Sequence, residues 1–146
     1  MNILVTGGAG YIGSHLIELL VKKKTNRVIV VDNLSTGYKT LINKKSKFFK
    51  SDINNKKLIN KLINKFNIDT IIHLAASLNV NEAEKNKKKY YKNNITGTNN
   101  LLLSCKNTTV KNIIFSSSCS IYGNIKGSVN ERKKPNPQGY YALTKY

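Results

Sequence analysis

The amino-acid sequence predicts an α/β fold built on a doubly wound parallel sheet. Short apolar runs alternate with segments of helical periodicity along all 146 residues, the pattern of parallel strands joined by crossover helices. The first apolar run, residues 3–5, passes directly into a glycine-rich turn at residues 6–13 and then into an amphipathic segment. The length corresponds to one domain with one hydrophobic core.

Five strands and the segments between them account for most of the chain. Apolar and β-branched residues predict strands at residues 3–5, 27–31, 47–50, 70–74 and 111–115. We expect the strand order 3-2-1-4-5, as in dinucleotide-binding sheets. Helical spacing predicts helices over residues 14–24 and 58–66, and a further helix that contains Tyr91, Ile95, Thr98 and Leu102. Residues 127–139, which include two prolines, are predicted to form an irregular loop.

Three evenly spaced glycines, Gly7, Gly10 and Gly13, mark the first turn as a candidate phosphate-binding loop. Gly8 completes an overlapping Gly-x-Gly-x-x-Gly pattern, which is typical of dinucleotide-binding domains when it lies between a strand and a helix. The first glycine permits the tight turn, the second lets the backbone approach a pyrophosphate, and the third lets the helix pack on the strand. The helix N-terminus then offers N–H groups to the phosphates. A glycine-rich turn without a ligand is the plainer alternative.

The second predicted strand ends in Asp32, 19 residues after Gly13. An acidic residue at about this distance, roughly 20 positions beyond the glycines, accepts hydrogen bonds from the adenosine ribose and repels a 2′-phosphate. The position of Asp32 therefore predicts NAD as the cofactor, in preference to NADP. The alternative is an ordinary aspartate in a turn at the end of a strand.

The formal net charge of +18 raises the question of a nucleic-acid partner. Of the 25 basic residues, 23 are lysines, and they are spread among many asparagines and isoleucines. These three residue types share A/T-rich codons, and phosphate recognition favours the bidentate fork of arginine. We therefore interpret the lysines as solvated and expect no nucleic-acid partner. A polyanion-binding module is the rival hypothesis.

Several reactive side chains carry no recognisable chemistry of their own. Cys105 and Cys119 fit neither a metal site nor a disulfide framework, so we expect no metal and a reducing, cytoplasmic environment. His73 has no pairing residue nearby in the sequence and is interpreted as structural.

No apolar run has the length of a signal-peptide core or a membrane span, so no membrane association is expected.

A second set of candidate residues follows the fifth predicted strand. Ser118 lies just beyond that strand, and Tyr141 and Lys145 lie four residues apart in a helical pattern. Residues at i and i+4 of a helix are neighbours, with Cβ atoms about 5–6 Å apart. The ammonium of Lys145 can therefore stabilise a Tyr141 phenolate that acts as a general base. Tyr140 has Thr144 instead of a lysine at i+4, which favours Tyr141 as the base.

Over its whole length the chain resembles the extended short-chain dehydrogenases/reductases, that is, the NAD-dependent epimerase/dehydratases. Within that family it is most similar to the UDP-glucose (UDP-galactose) 4-epimerases. The motifs that carry the resemblance are Thr-Gly-Gly-Ala-Gly-Tyr-Ile-Gly-Ser-His from Thr6, Asp-Asn-Leu-Ser-Thr-Gly from Asp32, Asp-Ile from Asp52, His-Leu-Ala-Ala from His73, Tyr-Tyr-Lys-Asn-Asn-Ile-Thr-Gly-Thr from Tyr90 and Phe-Ser-Ser-Ser-Cys-Ser-Ile-Tyr-Gly from Phe115.

The resemblance implies a set of cofactor contacts, residue by residue. Besides the three glycines, these are Tyr11 and Ile12 at the pyrophosphate, Asp32, Asn33, Leu34, Ser35, Thr36 and Gly37 at the adenosine ribose, Asp52 and Ile53 at the adenine, and Leu74, Ala75, Ala76 and Asn93 in the inner pocket. Ser118, Tyr141 and Lys145 match the catalytic Ser/Thr, Tyr and Lys of the family. Tyr141 and Lys145 are also implied to contact the nicotinamide end of the cofactor.

The implied reaction is the NAD-dependent 4-epimerisation of a UDP-hexose through a 4-keto sugar. A Tyr141 phenolate takes the proton of the C4 hydroxyl, hydride passes from C4 to the cofactor and later returns to the opposite face, and Ser118 hydrogen-bonds the reacting oxygen. Related 4,6-dehydratases carry Asp-Glu after the corresponding hydroxyl residue in order to eliminate water. Here Cys119 and Ser120 follow Ser118, so dehydratase chemistry is disfavoured.

Two features depart from the resemblance. Leu78 stands where the 4-epimerases usually have a lysine, and the sequence stops at Tyr146, whereas family members are much longer. We therefore expect a truncated NAD-binding domain over residues 1–146 that lacks the last strand and the substrate domain. Such a chain is expected to be inactive alone, with a homodimeric parent that binds the UDP-sugar mostly through the missing half. Another nucleotide-sugar epimerase and a non-catalytic NAD-binding remnant are the alternatives.

Overall fold

The computed structural model describes all 146 residues and contains one parallel sheet in the order β3-β2-β1-β4-β5. Its strands are β1 (Asn2–Thr6), β2 (Arg27–Asp32), β3 (Lys47–Lys50), β4 (Thr70–His73) and β5 (Asn112–Phe115). The predicted fold class, the five strands and their order are confirmed.

The register of the sheet places β1 at its centre. Ile3 lies opposite Val28 of β2, and Val5 lies opposite Ile72 of β4. All four strand pairs are parallel. Since parallel strands run in the same direction, the segments that leave their carboxyl ends start at one common edge of the sheet.

Six α-helices follow or separate the strands. They are α1 (Tyr11–Leu20), α2 (Lys56–Phe66), α3 (Val80–Lys85), α4 (Lys87–Tyr90), α5 (Gly97–Ser104) and α6 (Tyr140–Lys145). A π-helical segment (Tyr91–Thr96) and 3-10 turns (Lys39–Leu41 and Cys119–Tyr122) complete the regular structure. The predicted limits of the first helix, residues 14–24, are wrong at both ends. The helix starts earlier because Gly10 already adopts the extended conformation of a cap, so the end of the glycine turn is helical.

Apolar side chains cover both faces of the sheet, which is what makes it doubly wound. On one face, Leu4, Ile29, Val31 and Ile71 pack against Ile59, Leu62, Ile63 and Phe66 of α2 and against Leu101 of α5. On the other face, Ile3, Val5, Val28, Val30 and Ile72 pack against Ile17 of α1. Each fully buried Leu, Ile or Phe side chain contributes about 1.5–3 kcal/mol relative to an exposed one.

The chain separates into two compact units. The first unit, Met1–Ala76 with Gly97–Ser116, contains the sheet, α1, α2 and α5. The second unit, Ser77–Thr96 with Ser117–Tyr146, contains α3, α4, the π-helical segment and α6. Residues 127–139 contain no helix or strand, as predicted for the loop.

The residues at helical spacing, Tyr91, Ile95, Thr98 and Leu102, lie in the π-helical segment and α5, so the predicted helix is present, but they do not form its buried face. Tyr91 and Leu102 are 52% and 46% exposed. The buried residues of these segments are Tyr90, Asn94, Gly97, Leu101 and Ser104. Three of these, Tyr90, Asn94 and Ser104, carry polar groups that are hydrogen-bonded, which a reading of apolar spacing does not detect.

Candidate active site

The predicted cofactor-binding residues of the first unit lie at the carboxyl edge of the sheet. The segments concerned are residues 7–13 after β1, 33–37 after β2, 52–53 after β3 and 74–76 after β4. Backbone hydrogen bonds continue the sheet into these segments. The Gly7 N–H donates to the carbonyl of Val31 at 2.9 Å, and the Leu74 N–H donates to the carbonyl of Thr6 at 3.0 Å.

The glycines of the first turn are required for different reasons. Gly7 has φ +75°, and a Cβ on it would lie 2.6 Å from the backbone nitrogen of Ala75. A Cβ on Gly13 would lie 2.7 Å from the Cα of Gly8 and collide with the carbonyl oxygen of Gly7. A Cβ on Gly10, by contrast, would make only an ordinary contact of 3.4 Å with that oxygen. Packing within the chain thus accounts for Gly7 and Gly13 but not for Gly10.

Helix α1 starts inside this turn, with Gly10 as its N-cap. The Ser14 N–H donates to the Gly10 carbonyl at 2.9 Å, so the N–H groups of residues 11–13 precede the first intrahelical bond. Tyr11 and Ile12 at the start of the helix are 80% and 66% exposed. This arrangement suits the binding of a phosphate at the positive end of the helix dipole.

Asp32 connects the end of β2 to the glycine turn. One carboxylate oxygen accepts a hydrogen bond from the Ala9 N–H at 2.9 Å, and the other accepts from the Leu34 N–H at 2.8 Å. The residue is only 9% exposed. A carboxylate oxygen accepts more than one hydrogen bond, so these contacts leave Asp32 able to bind a hydroxyl as well.

The turn after β2 is held close to the glycine turn. Leu34 adopts a left-handed conformation at φ 61°, and the Ser35 N–H donates to Asn33 Oδ1 at 2.9 Å. A Cβ on Gly37 would lie 2.7 Å from the carbonyl carbon of Ala9, so only glycine permits this approach. The exposed polar side chains of the turn are Asn33, Ser35 and Thr36.

Asp52 and Ile53, which follow β3, differ in exposure and in the groups that they contact. Asp52 is exposed, and its carboxylate accepts hydrogen bonds from the Asn54 N–H at 2.8 Å and the Asn33 side chain at 3.3 Å. Ile53 is 4% exposed and packs against Gly97 of α5, where an added Cβ would lie 2.5 Å from its Cδ1. Asp52 therefore braces the turn after β2, and Ile53 supports α5.

His73 lies among hydroxyl groups at the end of β4. Its Nδ1 is 2.6 Å from Thr6 Oγ1 and its Nε2 is 2.9 Å from Thr98 Oγ1. The ring is 2% exposed and faces Phe115 at a centroid distance of 5.7 Å. With both ring nitrogens engaged and solvent excluded, the geometry agrees with the structural interpretation. Ala75 and Ala76, which follow it, are half-buried.

In the second unit, Tyr141 and Lys145 occupy positions i and i+4 of α6. Tyr141 is half-buried, and Lys145 is 5% exposed. Burial lowers the pKa of the Lys145 ammonium from 10.5 to about 8. A buried cation one turn from a phenol stabilises the phenolate more strongly than a solvated one, because low-dielectric surroundings strengthen the attraction.

The structure brings the Ser117–Ser118 segment to this helix. The Ser117 hydroxyl donates to the carbonyl of Lys145 at 3.0 Å. Ser118 caps the 3-10 turn at Cys119–Tyr122, which contacts α6. Its Oγ lies 2.8 Å from the hydroxyl of Ser120 and accepts the Ser120 N–H at 3.2 Å. The three predicted catalytic residues thus belong to one unit.

Two further hydrogen bonds of the second unit involve Asn93, which was predicted to bind the cofactor, and Glu84, which was not predicted to have a role. The side chain of Asn93 donates to the hydroxyl of Ser77 at 3.1 Å. At the start of α6, where Gly139 provides no side-chain cap, the carboxylate of Glu84 accepts the N–H of Tyr140. Glu84 thereby caps the helix that carries Tyr141 from outside the helix.

Sequence reasoning missed Asn94 and Thr144, which are 4% and 7% exposed. The Asn94 side chain donates to Thr144 Oγ1 at 2.9 Å. Asn94 adjoins Asn93, and Thr144 lies within the Tyr-x-x-x-Lys pattern, so both stood beside residues already singled out. The available signal was the pair of adjacent asparagines in a helical region, where asparagine is disfavoured without a hydrogen-bonding role.

None of the six helices combines the length and the apolar composition that a membrane span requires. No group of three or more His, Cys, Asp or Glu side chains is arranged to hold a metal ion.

The sheet with its glycine turn and strand-end aspartate, together with a Tyr-x-x-x-Lys helix and a neighbouring serine, defines a protein of the short-chain dehydrogenase/reductase type. The chain belongs to the NAD-dependent epimerase/dehydratase family, which matches residues 3–146.

Relatives within the family include two kinds of enzyme. The UDP-glucose 4-epimerase of Lactobacillus helveticus is 42% identical, over 99% of this chain and 44% of its own length. A dTDP-D-glucose 4,6-dehydratase of Dictyostelium discoideum is 38% identical, over 99% of this chain and 38% of its own length. The crystal structure of the Brucella ovis UDP-glucose 4-epimerase in complex with NAD matches with a TM-score of 0.92 and 39% identity, over 99% and 44% of the two chains. The chain thus spans less than half the length of these relatives.

Proposed function

We propose that this chain binds NAD and supplies the base, the hydroxyl and the lysine for the 4-epimerisation of a UDP-hexose. The observation that carries the proposal is the arrangement of the second unit. Tyr141 and a buried Lys145 share one turn of α6, and the Ser117–Ser118 segment is hydrogen-bonded to the end of that turn. A Tyr/Ser/Lys set of this kind suits the removal and return of a proton at a sugar hydroxyl.

The first unit fits the proposed cofactor. Gly10 is a glycine that packing within the chain does not require, which is understandable if a pyrophosphate approaches its backbone. The N–H groups at the start of α1, which precede the first intrahelical bond, would hold the phosphates, and Asp32 would accept the ribose hydroxyls. Asn33, Ser35 and Thr36 offer further polar groups beside that ribose.

Each proposed catalytic residue has a separate role. NAD, when bound, supplies a hydride acceptor and donor for C4 of the sugar, and it is regenerated in each cycle. Tyr141 takes the proton from the C4 hydroxyl and gives it back. Ser118 hydrogen-bonds the same oxygen. Lys145 stabilises the Tyr141 phenolate and holds the nearby cofactor ribose.

Epimerisation is favoured over dehydration by the residues after Ser118. Elimination of water needs an acid/base pair, and the family's 4,6-dehydratases have Asp-Glu there. Cys119 and Ser120 occupy these positions, and neither is a carboxylic acid. The 38% identity to a dehydratase therefore reflects the shared fold and cofactor site, in our proposal, and not shared chemistry.

The proposal is tested by joining this chain to the second half of the Lactobacillus helveticus epimerase and measuring interconversion of UDP-galactose and UDP-glucose. Tyr141→Phe should lower kcat by about 10²–10⁴-fold, the contribution of a positioned general base. Tyr140→Phe, which removes the same hydroxyl from the neighbouring residue of α6, serves as the matched control and should change kcat little. A joined protein that folds and binds NAD without converting either sugar would overturn the epimerase assignment.

A further inference from the structure

The hydroxyl of Thr144 lies between the proposed base and the proposed lysine, and it is bonded on both sides. Thr144 Oγ1 donates to the backbone carbonyl of Tyr141 at 2.8 Å and accepts the side-chain N–H of Asn94 at 2.9 Å. A hydroxyl has one proton to donate, so the bond to Tyr141 uses it and the bond from Asn94 fills a lone pair. The two contacts therefore have fixed directions.

Asn94 in turn is anchored to the backbone of Ser77. Its Oδ1 accepts the Ser77 N–H at 2.8 Å, and its Nδ2 also donates to the Ser77 carbonyl at 3.1 Å. The Asn94 side chain thus forms a donor and an acceptor bond with the backbone of Ser77, as a neighbouring strand would. It also donates an N–H to Thr144 of α6. At 4% exposed it is shielded from water, so these bonds are not exchanged for bonds to solvent.

The bonds of Asn94 act on helix α6 (Tyr140–Lys145), which carries both proposed catalytic residues. The contact from Asn94 reaches the residue directly before Lys145, and through the Thr144 hydroxyl it also fixes the carbonyl of Tyr141. Both proposed catalytic side chains therefore project from backbone that is fixed by one buried amide.

We propose that Thr144 is a positioning residue, and that the Ser77–Asn94–Thr144 clamp holds Tyr141 and Lys145 in the orientation that catalysis uses. The inference rests on the proposed roles of Tyr141 and Lys145, but the clamp itself is tested without catalysis. Its parts all lie in the second unit.

The test compares Thr144→Val and Thr144→Ser in the 146-residue chain by NMR. Valine keeps the shape but leaves the buried amide of Asn94 without this acceptor, so amide-exchange protection over residues 143–146 should fall by about five- to hundredfold. Serine keeps the hydroxyl and should restore the protection. Burial lowers the pKa of the Lys145 ammonium to about 8, and this pKa should rise towards that of a solvated lysine in Thr144→Val but not in Thr144→Ser.

A matched control is Thr108→Val. The Thr108 hydroxyl makes the same local bond, donating to the carbonyl of Cys105 three residues earlier at 2.7 Å, but it lies in the first unit. This variant should leave residues 143–146 and Lys145 unchanged. Should Thr144→Val fail to fold, Asn94→Leu removes the same N–H donor without adding a charge and should give the same two changes.

Unchanged exchange protection and an unchanged pKa of Lys145 in Thr144→Val, or in Asn94→Leu if that variant is the one that folds, would overturn the clamp. A loss that serine does not restore would also overturn it, because the effect would then come from packing and not from the hydroxyl. Failure of the unchanged chain to bind NAD would count against the proposed function, while both NMR readouts would still decide on the clamp.

Discussion

The carboxylate of Asp32 accepts the backbone N–H of Ala9 at 2.9 Å, across 23 residues of sequence. Ala9 lies inside the glycine turn, and Asp32 ends the neighbouring strand β2. One side chain therefore fixes the loop proposed to receive the pyrophosphate and is also the acceptor proposed for the ribose hydroxyls. Because the two roles share one group, the shape of the loop and the choice of cofactor depend on each other.

Replacing Asp32 by Ala should weaken NAD binding by about 10- to 150-fold, since the loss of a charge-assisted hydrogen bond costs about 1.5–3 kcal/mol. The difference in affinity between NAD and NADP should narrow, because the charge that repels a 2′-phosphate is removed. Isothermal titration of the 146-residue chain with each cofactor measures both effects. Equal affinity of the unchanged chain for NAD and NADP would contradict the assignment.

Asp69 provides the control for loss of structure. Like Asp32, it accepts a backbone N–H, that of Asn2 at 2.7 Å, but it precedes β4 and lies at the opposite edge of the sheet. Asp69→Ala should lower the free energy of unfolding without changing NAD affinity. If the two variants weaken NAD binding equally, the effect of Asp32 comes from destabilisation alone.

A second prediction concerns the buried charge of Lys145. Burial lowers its pKa from 10.5 to about 8, so at neutral pH the charged form destabilises the folded chain by about 3 kcal/mol. Between pH 8 and pH 10.5 the unfolded chain holds this proton longer than the folded chain does, so the penalty declines as the pH rises. Lys145→Met should therefore stabilise the chain at pH 7, by up to about 3 kcal/mol, and by less at pH 9.5.

Urea unfolding of both chains at the two pH values measures this difference. Lys126→Met, which removes an exposed lysine of the same unit, should change the free energy of unfolding by no more than about 0.5 kcal/mol at either pH. A Lys145→Met variant that is destabilised at pH 7 would show that the folded chain gains more from the ammonium than burial costs.

The sequence was sufficient to predict the sheet because its strands depend on local apolar runs. The segment 47–50 was predicted to the residue, and the end of β2 at Asp32 followed from the spacing to the glycines. The spacing from Tyr91 to Leu102 predicted a helix but not which of its faces is buried. Tyr90, which that spacing leaves out, is fully buried, and its phenol donates to the carbonyl of Asn79 at 2.7 Å.

The candidate site shows the same division. Tyr141 and Lys145 were found because their relation is local, four residues apart on one helix. Glu84 and Asn94 act on α6 from segments 56 and 50 residues away in sequence. Contacts of that kind depend on how the segments pack, and no periodicity or spacing in a single sequence contains them.

A third prediction addresses the lysine-rich surface. If the lysines are only solvated, binding to duplex DNA should be weak at low salt and absent at 200 mM salt. A protein that contacts 6–10 phosphates loses about 10³–10⁵ in affinity between 50 and 200 mM salt. Fluorescence anisotropy with two unrelated duplexes measures this. Sequence-selective binding that survives 200 mM salt would show that the basic surface has a function of its own.

A fourth prediction concerns the edge strand β5. Ile113, Ile114 and Phe115 are 40%, 56% and 40% exposed, and exposed apolar edge strands promote self-association. Ile114→Lys should weaken self-association. Light scattering should then report a monomer up to a higher protein concentration than for the unchanged chain. Ile12→Lys removes an isoleucine that is 66% exposed but lies on α1, so it should have a smaller effect. Equal effects would show that exposed apolar area matters and the strand edge does not.

The last prediction is that the 146-residue chain binds NAD but does not epimerise UDP-galactose by itself. The resemblance to the 4-epimerases implies that most groups gripping the uridine and the sugar belong to parts of those enzymes that this chain does not match. Holding C4 in reacting position can supply about 7–11 kcal/mol, so turnover without those groups should be below detection. Joining the chain to the second half of the Lactobacillus helveticus epimerase should restore turnover.

Three samples distinguish the possible causes of inactivity: the chain alone, the joined protein, and the chain mixed with the separate second half. NAD binding, measured by titration, should be present in all three, because the residues proposed to hold the cofactor's adenosine and phosphates lie in the first unit. Activity in the joined protein alone means that the two halves must be held together for the sugar to be positioned. Turnover by the unjoined chain would show that these 146 residues hold the sugar without help, which would contradict the assignment of the sugar-binding groups.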